Sequence, residues 1–255
     1  MRVDQPRVEV FSTHDALMQA AAERFVAASV DAIGASDRFT VALSGGSTPQ
    51  NLYALLATDA YASRIHWPRV HIFWGDERCV PPGSPASNYR MARVALLSRV
   101  PLPAANVHRI RGEDEPAAAA AAYERKLREL FGTPAGEPRT TTGARFDFVL
   151  LGLGKDGHTA SLFPGSATVR ETRRWAMAED IADVSMSRVT VTPAVINAAS
   201  EIVFLVFGRE KAATLRRVLE GPYQPDALPA QAIAPSAGRL RWLADADAAA
   251  DLSPT

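Results

Sequence analysis

Short apolar runs and longer amphipathic stretches alternate along most of the chain, each run closed by glycine, proline or a charge cluster. Between Asp15 and Ile33 the apolar positions Leu17, Ala21, Phe25 and Ala28 recur at helical spacing, and Gly34 is the expected stop. Phe39–Leu43 (FTVAL) and Val70–Trp74 (VHIFW) read as strands, with a helix from Gln50 to about Ala57 between them. A helix is expected over Tyr89–Arg99, a short strand over Val107–Ile110, and an alanine-rich helix over Pro116–Leu130 closed by Gly132. Phe146–Leu151 carries one charge, Asp147, and is apolar on both faces, as suits the centre of a covered parallel sheet. Strands follow at Trp175–Glu179, Arg188–Thr192, Glu201–Phe207 and Leu240–Leu243, with helices at Pro193–Ala199 and Arg209–Leu219. Strands alternating with helices from Phe39 onward predict an α/β fold, a mostly parallel sheet with helices on both faces. One domain over residues 1–255 is expected, with 132–143 as a loop linking layers rather than domains.

Composition narrows the function classes. Twenty-eight basic residues balance 28 acidic ones, so neither a polyanion-binding surface nor a nucleic-acid partner is expected. No apolar run is long enough to span a bilayer, and the Ala16–Val30 stretch is broken by Glu23 and Arg24. A single cysteine, Cys79, leaves no intrachain disulfide and no cysteine zinc cluster. The cytoplasm is the expected compartment, and a monomer or small homo-oligomer the expected state.

Chemistry concentrates at strand ends. After Phe146–Leu151, glycines at 152, 154 and 157 turn the backbone and present Lys155, Asp156 and His158. A histidine two residues from an aspartate on such a turn points to proton transfer, because the carboxylate can fix the tautomer. The segment also matches GxGxxG, yet Pro164 leaves no room for the long helix that a dinucleotide fingerprint needs. After Phe39–Leu43 comes Ser44-Gly45-Gly46-Ser47-Thr48-Pro49, with Pro49 suited to a first helical position. This turn reads either as an anion cradle of backbone N–H groups or as a plain turn capped by Ser47 or Thr48. After Val70–Trp74 come Asp76, Glu77 and Arg78, and Arg78 suits an oxyanion. Lys211, in the first turn of its helix, and Arg188, at the head of its strand, are further candidate cations. There is no Gly-x-Ser-x-Gly elbow and no HExxH, and the five histidines are scattered, which disfavours a serine acyl-enzyme and metal hydrolysis. Water activation or proton shuttling on a phosphorylated small molecule remains.

The segments ALSGGSTPQNLY, FWGDERCVPPGSPASNYRMA, FDFVLLGLGKDGHTASLFPG, RVTVTPAVINAA and FLVFGREKAATL resemble the 6-phosphogluconolactonase family. That resemblance implies a three-layer α/β/α, Rossmann-like fold, similar to glucosamine-6-phosphate deaminase and ribose-5-phosphate isomerase. It implies hydrolysis of a sugar-phosphate lactone, 6-phospho-D-glucono-1,5-lactone, with no cofactor and no metal. His158 falls on the family's proposed catalytic histidine and Asp156 on its neighbouring acid. Arg78, Arg188 and Lys211 fall on positions that contact substrate or its phosphate, and Ser44, Gly45, Gly46, Ser47 and Asp76 complete the expected binding set. The deaminase branch shares GLGxDGH but has Asn-Glu before the proline, where this chain has Leu162 and Phe163.

Overall fold

The computed structural model describes residues 7–132, 145–180 and 186–253. In chain order these form β1 (Arg7–Phe11), α1 (His14–Ser36), β2 (Phe39–Leu43), α2 (Ser47–Leu56), α3 (Asp59–Ala62), β3 (Val70–Trp74) and β4 (Asp76–Arg78). There follow α4 (Asn88–Ala92), α5 (Pro116–Phe131), β5 (Phe148–Gly152), β6 (Ala176–Glu179), β7 (Arg188–Val191), α6 (Pro193–Asn197), β8 (Glu201–Val206), α7 (Ala212–Glu220) and β9 (Arg239–Asp245). The loop expected over 132–143 lies, beyond Gly132, outside the described residues.

A six-stranded sheet in the order β1-β9-β8-β5-β2-β3 forms the core, and every pairing in it is parallel. Its central strands are buried along almost their whole length, which explains why their sequences are apolar at consecutive positions. Helices cover both faces. Phe39 and Phe148 meet Phe25 of α1 edge-on at 5.3 and 5.7 Å between ring centroids. Phe73 pairs in register with Ala42, one step from the Phe39 face, and packs against Tyr123 and Phe131 of α5. The buried charge in β8, Glu201, is matched by Arg24, at 2.6 Å, and Arg241, at 2.8 Å. Both partners supply the hydrogen bonds that a carboxylate needs away from water.

The structure departs from the sequence reading at several elements. Gly34 lies inside α1; the helix ends instead at Asp37, whose left-handed φ of 57° and N–H bond to the Ile33 carbonyl close the last turn. Gly46, with φ 104°, is the N-cap of α2, so the helix starts at Ser47 and Pro49 is its third residue. The expected Tyr89–Arg99 helix is a short α4 continued by a π-helical turn over Arg93–Leu97. The Val107–Ile110 segment makes only an isolated bridge, Val107 to Ile72. Two strands were not anticipated, β1 at the sheet edge and β4. β4 pairs antiparallel with β7, and β7 with β6, in a separate three-stranded sheet.

From β2 the chain moves one way to β3. From β5 it moves the other way, to β8 and β9. The carboxyl ends of β2 and β5 therefore flank a topological switch point, where an open α/β sheet leaves a crevice.

Candidate active site

A cavity of about 580 Å³ opens at that switch point. Ser44, Gly45 and Gly46 line it from the end of β2, and Gly152 to Asp156 and His158 from the end of β5. Asp76 and Arg78 enter from β4, Arg188 from β7, Lys211 from the turn after β8, and Asn88 from the start of α4. Of the sequence-predicted residues, Ser47 alone does not line it; its side chain is exposed on the first turn of α2. The turn between β2 and α2 offers the cavity its first three residues and turns the fourth outward.

His158 and Asp156 form a pair. The imidazole Nδ1 lies 2.6 Å from Asp156 Oδ1, and the same oxygen accepts the His158 backbone N–H at 3.1 Å. An ionised carboxylate only accepts, so Nδ1 carries the proton and Nε2 is left with its lone pair. Partial burial works to raise the Asp156 pKa, but the backbone N–H and the charge and hydrogen bond of His158 outweigh it and hold the carboxyl below its usual range.

The turn is shaped to hold this pair. Gly154 donates its N–H to the His158 carbonyl at 2.8 Å, and a Cβ at Gly154 would sit 2.1 Å from His158 Nδ1. Gly157 adopts φ 88°, which a side chain would strain. The Thr159 hydroxyl donates to the Gly152 carbonyl at 2.9 Å, which ties the end of the turn back to β5. No helix intervenes before Pro164, so GLGKDG does not open a dinucleotide site. The ring of Phe163 packs 4.5 Å from the imidazole, and the Arg188 guanidinium lies 5.6 Å above the same ring.

The GDER charges follow strand alternation. Asp76 and Arg78 point into the cavity while Glu77 points away, as successive residues of a strand must. Buried Glu77 accepts backbone N–H bonds from Arg78, Asn88 and Tyr89 at 2.7–2.8 Å and the Ser87 hydroxyl at 2.9 Å. Burial pushes its carboxyl pKa up against the pull of those donors. Glu77 thereby fixes the start of α4, and with it Asn88. Asn88 donates to the Asp76 carbonyl at 2.9 Å and touches the Gly45 backbone so closely that a Cβ there would lie 2.0 Å from its Oδ1. Asp76 itself accepts from Ser161 at 2.7 Å, joining β4 to the histidine turn.

Four cations, Arg78, Lys155, Arg188 and Lys211, face two carboxylates, Asp76 and Asp156, around the cavity. Burial lowers the Lys211 pKa, with Glu210 opposing and Lys155 adding to the effect. The Nε atoms of Arg78 and Arg188 are buried and find no hydrogen-bond partner among the described residues. The surplus of positive charge around the cavity suits an anionic ligand. Sequence reading placed Lys155 on the histidine turn without counting it in the binding set, and missed Asn88 as a wall residue. The SN after GDER and the lysine within GLGKDGH were the available signals. Among the described residues, no group of three or more His, Cys, Asp or Glu is arranged to hold a metal ion, and no helix is long and apolar enough to cross a membrane.

Residues 12–242 match the family described as glucosamine-6-phosphate isomerases/6-phosphogluconolactonase. A 6-phosphogluconolactonase of Nostoc is 40% identical over 247 residues, 96% of this chain and 98% of the relative. The structure of 6-phosphogluconolactonase from Trypanosoma brucei superposes with a TM-score of 0.84 at 30% identity, covering 98% of this chain and 99% of that one. A monomeric glucosamine-6-phosphate deaminase superposes with a TM-score of 0.77 over 96% of this chain and 99% of its own, but at 21% identity this is a likeness of fold alone. The chain belongs to the glucosamine-6-phosphate isomerase/6-phosphogluconolactonase family.

Proposed function

We propose that the protein hydrolyses 6-phospho-D-glucono-1,5-lactone to 6-phospho-D-gluconate, as in the oxidative pentose phosphate pathway, by metal-independent general-base activation of water. The observation that carries this reading is the 2.6 Å His158–Asp156 pair on the wall of a cation-lined cavity. Its relatives' names supply the substrate. The cavity volume suits a hexose phosphate with room for a water molecule.

In the proposed reaction, the cations hold the phosphate and leave C1 of the lactone near His158. Nε2 removes a proton from water as the water oxygen bonds to C1. The carbonyl oxygen becomes an oxyanion, held by Arg78 or by the backbone N–H groups of the 44–46 turn. Asp156 stabilises the imidazolium through Nδ1–H. As the C1–O5 bond breaks, the imidazolium returns the proton to O5, and the open acid leaves. On this reading the protein acts as one unit over residues 1–255, in the cytoplasm, as a monomer or small homo-oligomer, with neither nucleic acid nor membrane as a partner.

The alternative on this scaffold is amino-sugar deamination. Phe163, packed against the imidazole, stands where that branch has a glutamate, which favours the lactonase reading. Lactone hydrolysis and ammonia release from glucosamine 6-phosphate, measured side by side with spontaneous hydrolysis subtracted, separate the two. The lactonase reading expects turnover of freshly made lactone and no ammonia; ammonia without lactone turnover overturns it.

A further inference from the structure

Asp156 sits on a tight turn whose ends are well held. Gly157 donates its N–H to the Gly154 carbonyl at 3.1 Å, so Lys155 and Asp156 are the two central residues of a β-turn. The non-glycine residues with positive φ among the described residues are Asp37 and Ala160. Asp156 therefore has negative φ, and the turn is not of type II. Gly154 donates to the His158 carbonyl at 2.8 Å, and Ala230 donates to the Gly157 carbonyl at 2.9 Å, which fixes the base of the turn. The central peptide, between Lys155 and Asp156, is held differently. Among the described residues its carbonyl receives one hydrogen bond, from the Thr214 hydroxyl of α7 at 2.7 Å.

We propose that Thr214 is a positioning residue, whose hydroxyl sets the tilt of the peptide that carries Asp156. A trans peptide is planar, so a carbonyl and the N–H that follows it point in opposite directions. Fixing the Lys155 carbonyl therefore fixes the Asp156 N–H. That N–H is one of the donors that hold the Asp156 carboxyl below its usual range, so it faces the carboxylate that grips Nδ1 of His158. Steric preference decides the hand of the turn, because flipping the central peptide would force Asp156 to positive φ. Within that hand it leaves the tilt free. The Thr214 hydrogen bond removes this freedom, and Thr214 is 6% exposed, so little water competes for the carbonyl from its side.

Lys211 lies about one helical turn before Thr214 and has anchors of its own. Its N–H donates to the Gly208 carbonyl at 3.0 Å, and the Gly208 N–H donates to the buried carboxylate of Asp245 at 3.0 Å. Loss of the Thr214 hydroxyl thus leaves the Lys211 backbone held and frees the Asp156 peptide. A positioning role of this kind touches turnover and spares anion binding, whereas a general loosening of the site would weaken both. The consequence for turnover rests on the lactonase reading; the consequence for the imidazole does not.

The test compares the unaltered protein with Thr214→Val, which exchanges the hydroxyl for a methyl group, and with Thr214→Ser, which keeps it. Nitrogen-15 NMR of the ligand-free proteins reads the tautomer of His158. Hydrolysis of freshly made lactone gives kcat, and calorimetric titration gives 6-phosphogluconate affinity. Thr214→Val is expected to show a mixture of Nδ1–H and Nε2–H tautomers, to lose roughly 3- to 10-fold in kcat, the worth of one hydrogen bond, and to bind 6-phosphogluconate nearly unchanged. Thr214→Ser is expected to restore both the tautomer and kcat. An unchanged His158 spectrum and kcat in Thr214→Val overturn the proposal. Equal losses of kcat and affinity, or a Thr214→Ser no better than Thr214→Val, overturn it too. An unaltered protein without lactone turnover overturns the lactonase reading instead, and the tautomer comparison then decides the role of Thr214 by itself.

Discussion

Arg78 and Arg188 are direct cross-strand partners in the β4–β7 pair, and both side chains line the cavity. Like charges set opposite one another in a sheet destabilise it. Burial lowers the Arg188 pKa; the carboxylate of Asp76 at 3.9 Å opposes that, and the charge of Arg78 adds to it more weakly. An anion between the two guanidinium groups would relieve the repulsion.

This arrangement separates binding from stability. Arg188→Met is expected to weaken binding of 6-phosphogluconate by roughly 10- to 100-fold, as the loss of a charged hydrogen bond would. The ligand-free protein should lose about 1–2 kcal/mol, because removal of one of two facing charges only partly offsets the lost contacts with Phe163 and with buried Asp76. Calorimetric titration and urea unfolding of the same variant check both halves.

Gly154→Ala probes the catalytic pair without touching either member. The added methyl would lie 2.1 Å from His158 Nδ1 and 2.6 Å from Asp156 Oδ1, so both side chains must swing apart. Those are movable side-chain atoms, so the stability cost should stay within about 1 kcal/mol. The catalytic constant for the lactone should fall by roughly 10²- to 10⁴-fold, the usual worth of a placed base. Steady-state kinetics beside thermal unfolding would show the split; a variant with normal turnover argues against the paired geometry.

Acid stability should be governed in part by a second histidine pair, remote from the cavity wall. His71 Nδ1 and His108 Nε2 lie 3.1 Å apart, with the rings stacked, on β3 and the segment bridged to it. Burial lowers the pKa of both, and in His108 the charge of His71 helps push it down to about 4. The folded state thus favours neutral rings, whereas an unfolded histidine titrates near ~6.5. The stabilisation is fully present above about pH 6.5 and is lost as pH falls towards about 4. Unfolding temperatures of the protein and of His108→Gln, measured from pH 7 to 4.5, should converge as pH drops; parallel curves would contradict the assignment.

The parts of the fold that could be read from sequence were those where burial is continuous. β2, β5 and β8 are apolar at successive positions because helices cover both faces of the sheet. β1 was not legible. Its RVEVF alternation is short and belongs to a half-exposed edge strand. β4 was not legible either, because three successive charges resemble a salt-bridged turn. Only the pairing with β7 shows that Asp76 and Arg78 share one face and Glu77 the other. Glycine misled at Gly34, where an unstrained glycine sits within α1 while Asp37 takes the left-handed cap. In the site, the Asp156–His158 contact was legible because two residues on one turn are forced together. Asn88 was not, since its place beside Gly45 depends on Glu77 gripping the start of α4 from another strand.

The most direct measurement is the turnover of freshly generated 6-phosphogluconolactone by His158→Ala, with spontaneous hydrolysis subtracted and 6-phosphogluconate affinity determined on the same sample. The account predicts a catalytic constant lower by roughly 10²- to 10⁴-fold with product affinity nearly unchanged. A rate equal to that of the unaltered protein would contradict it.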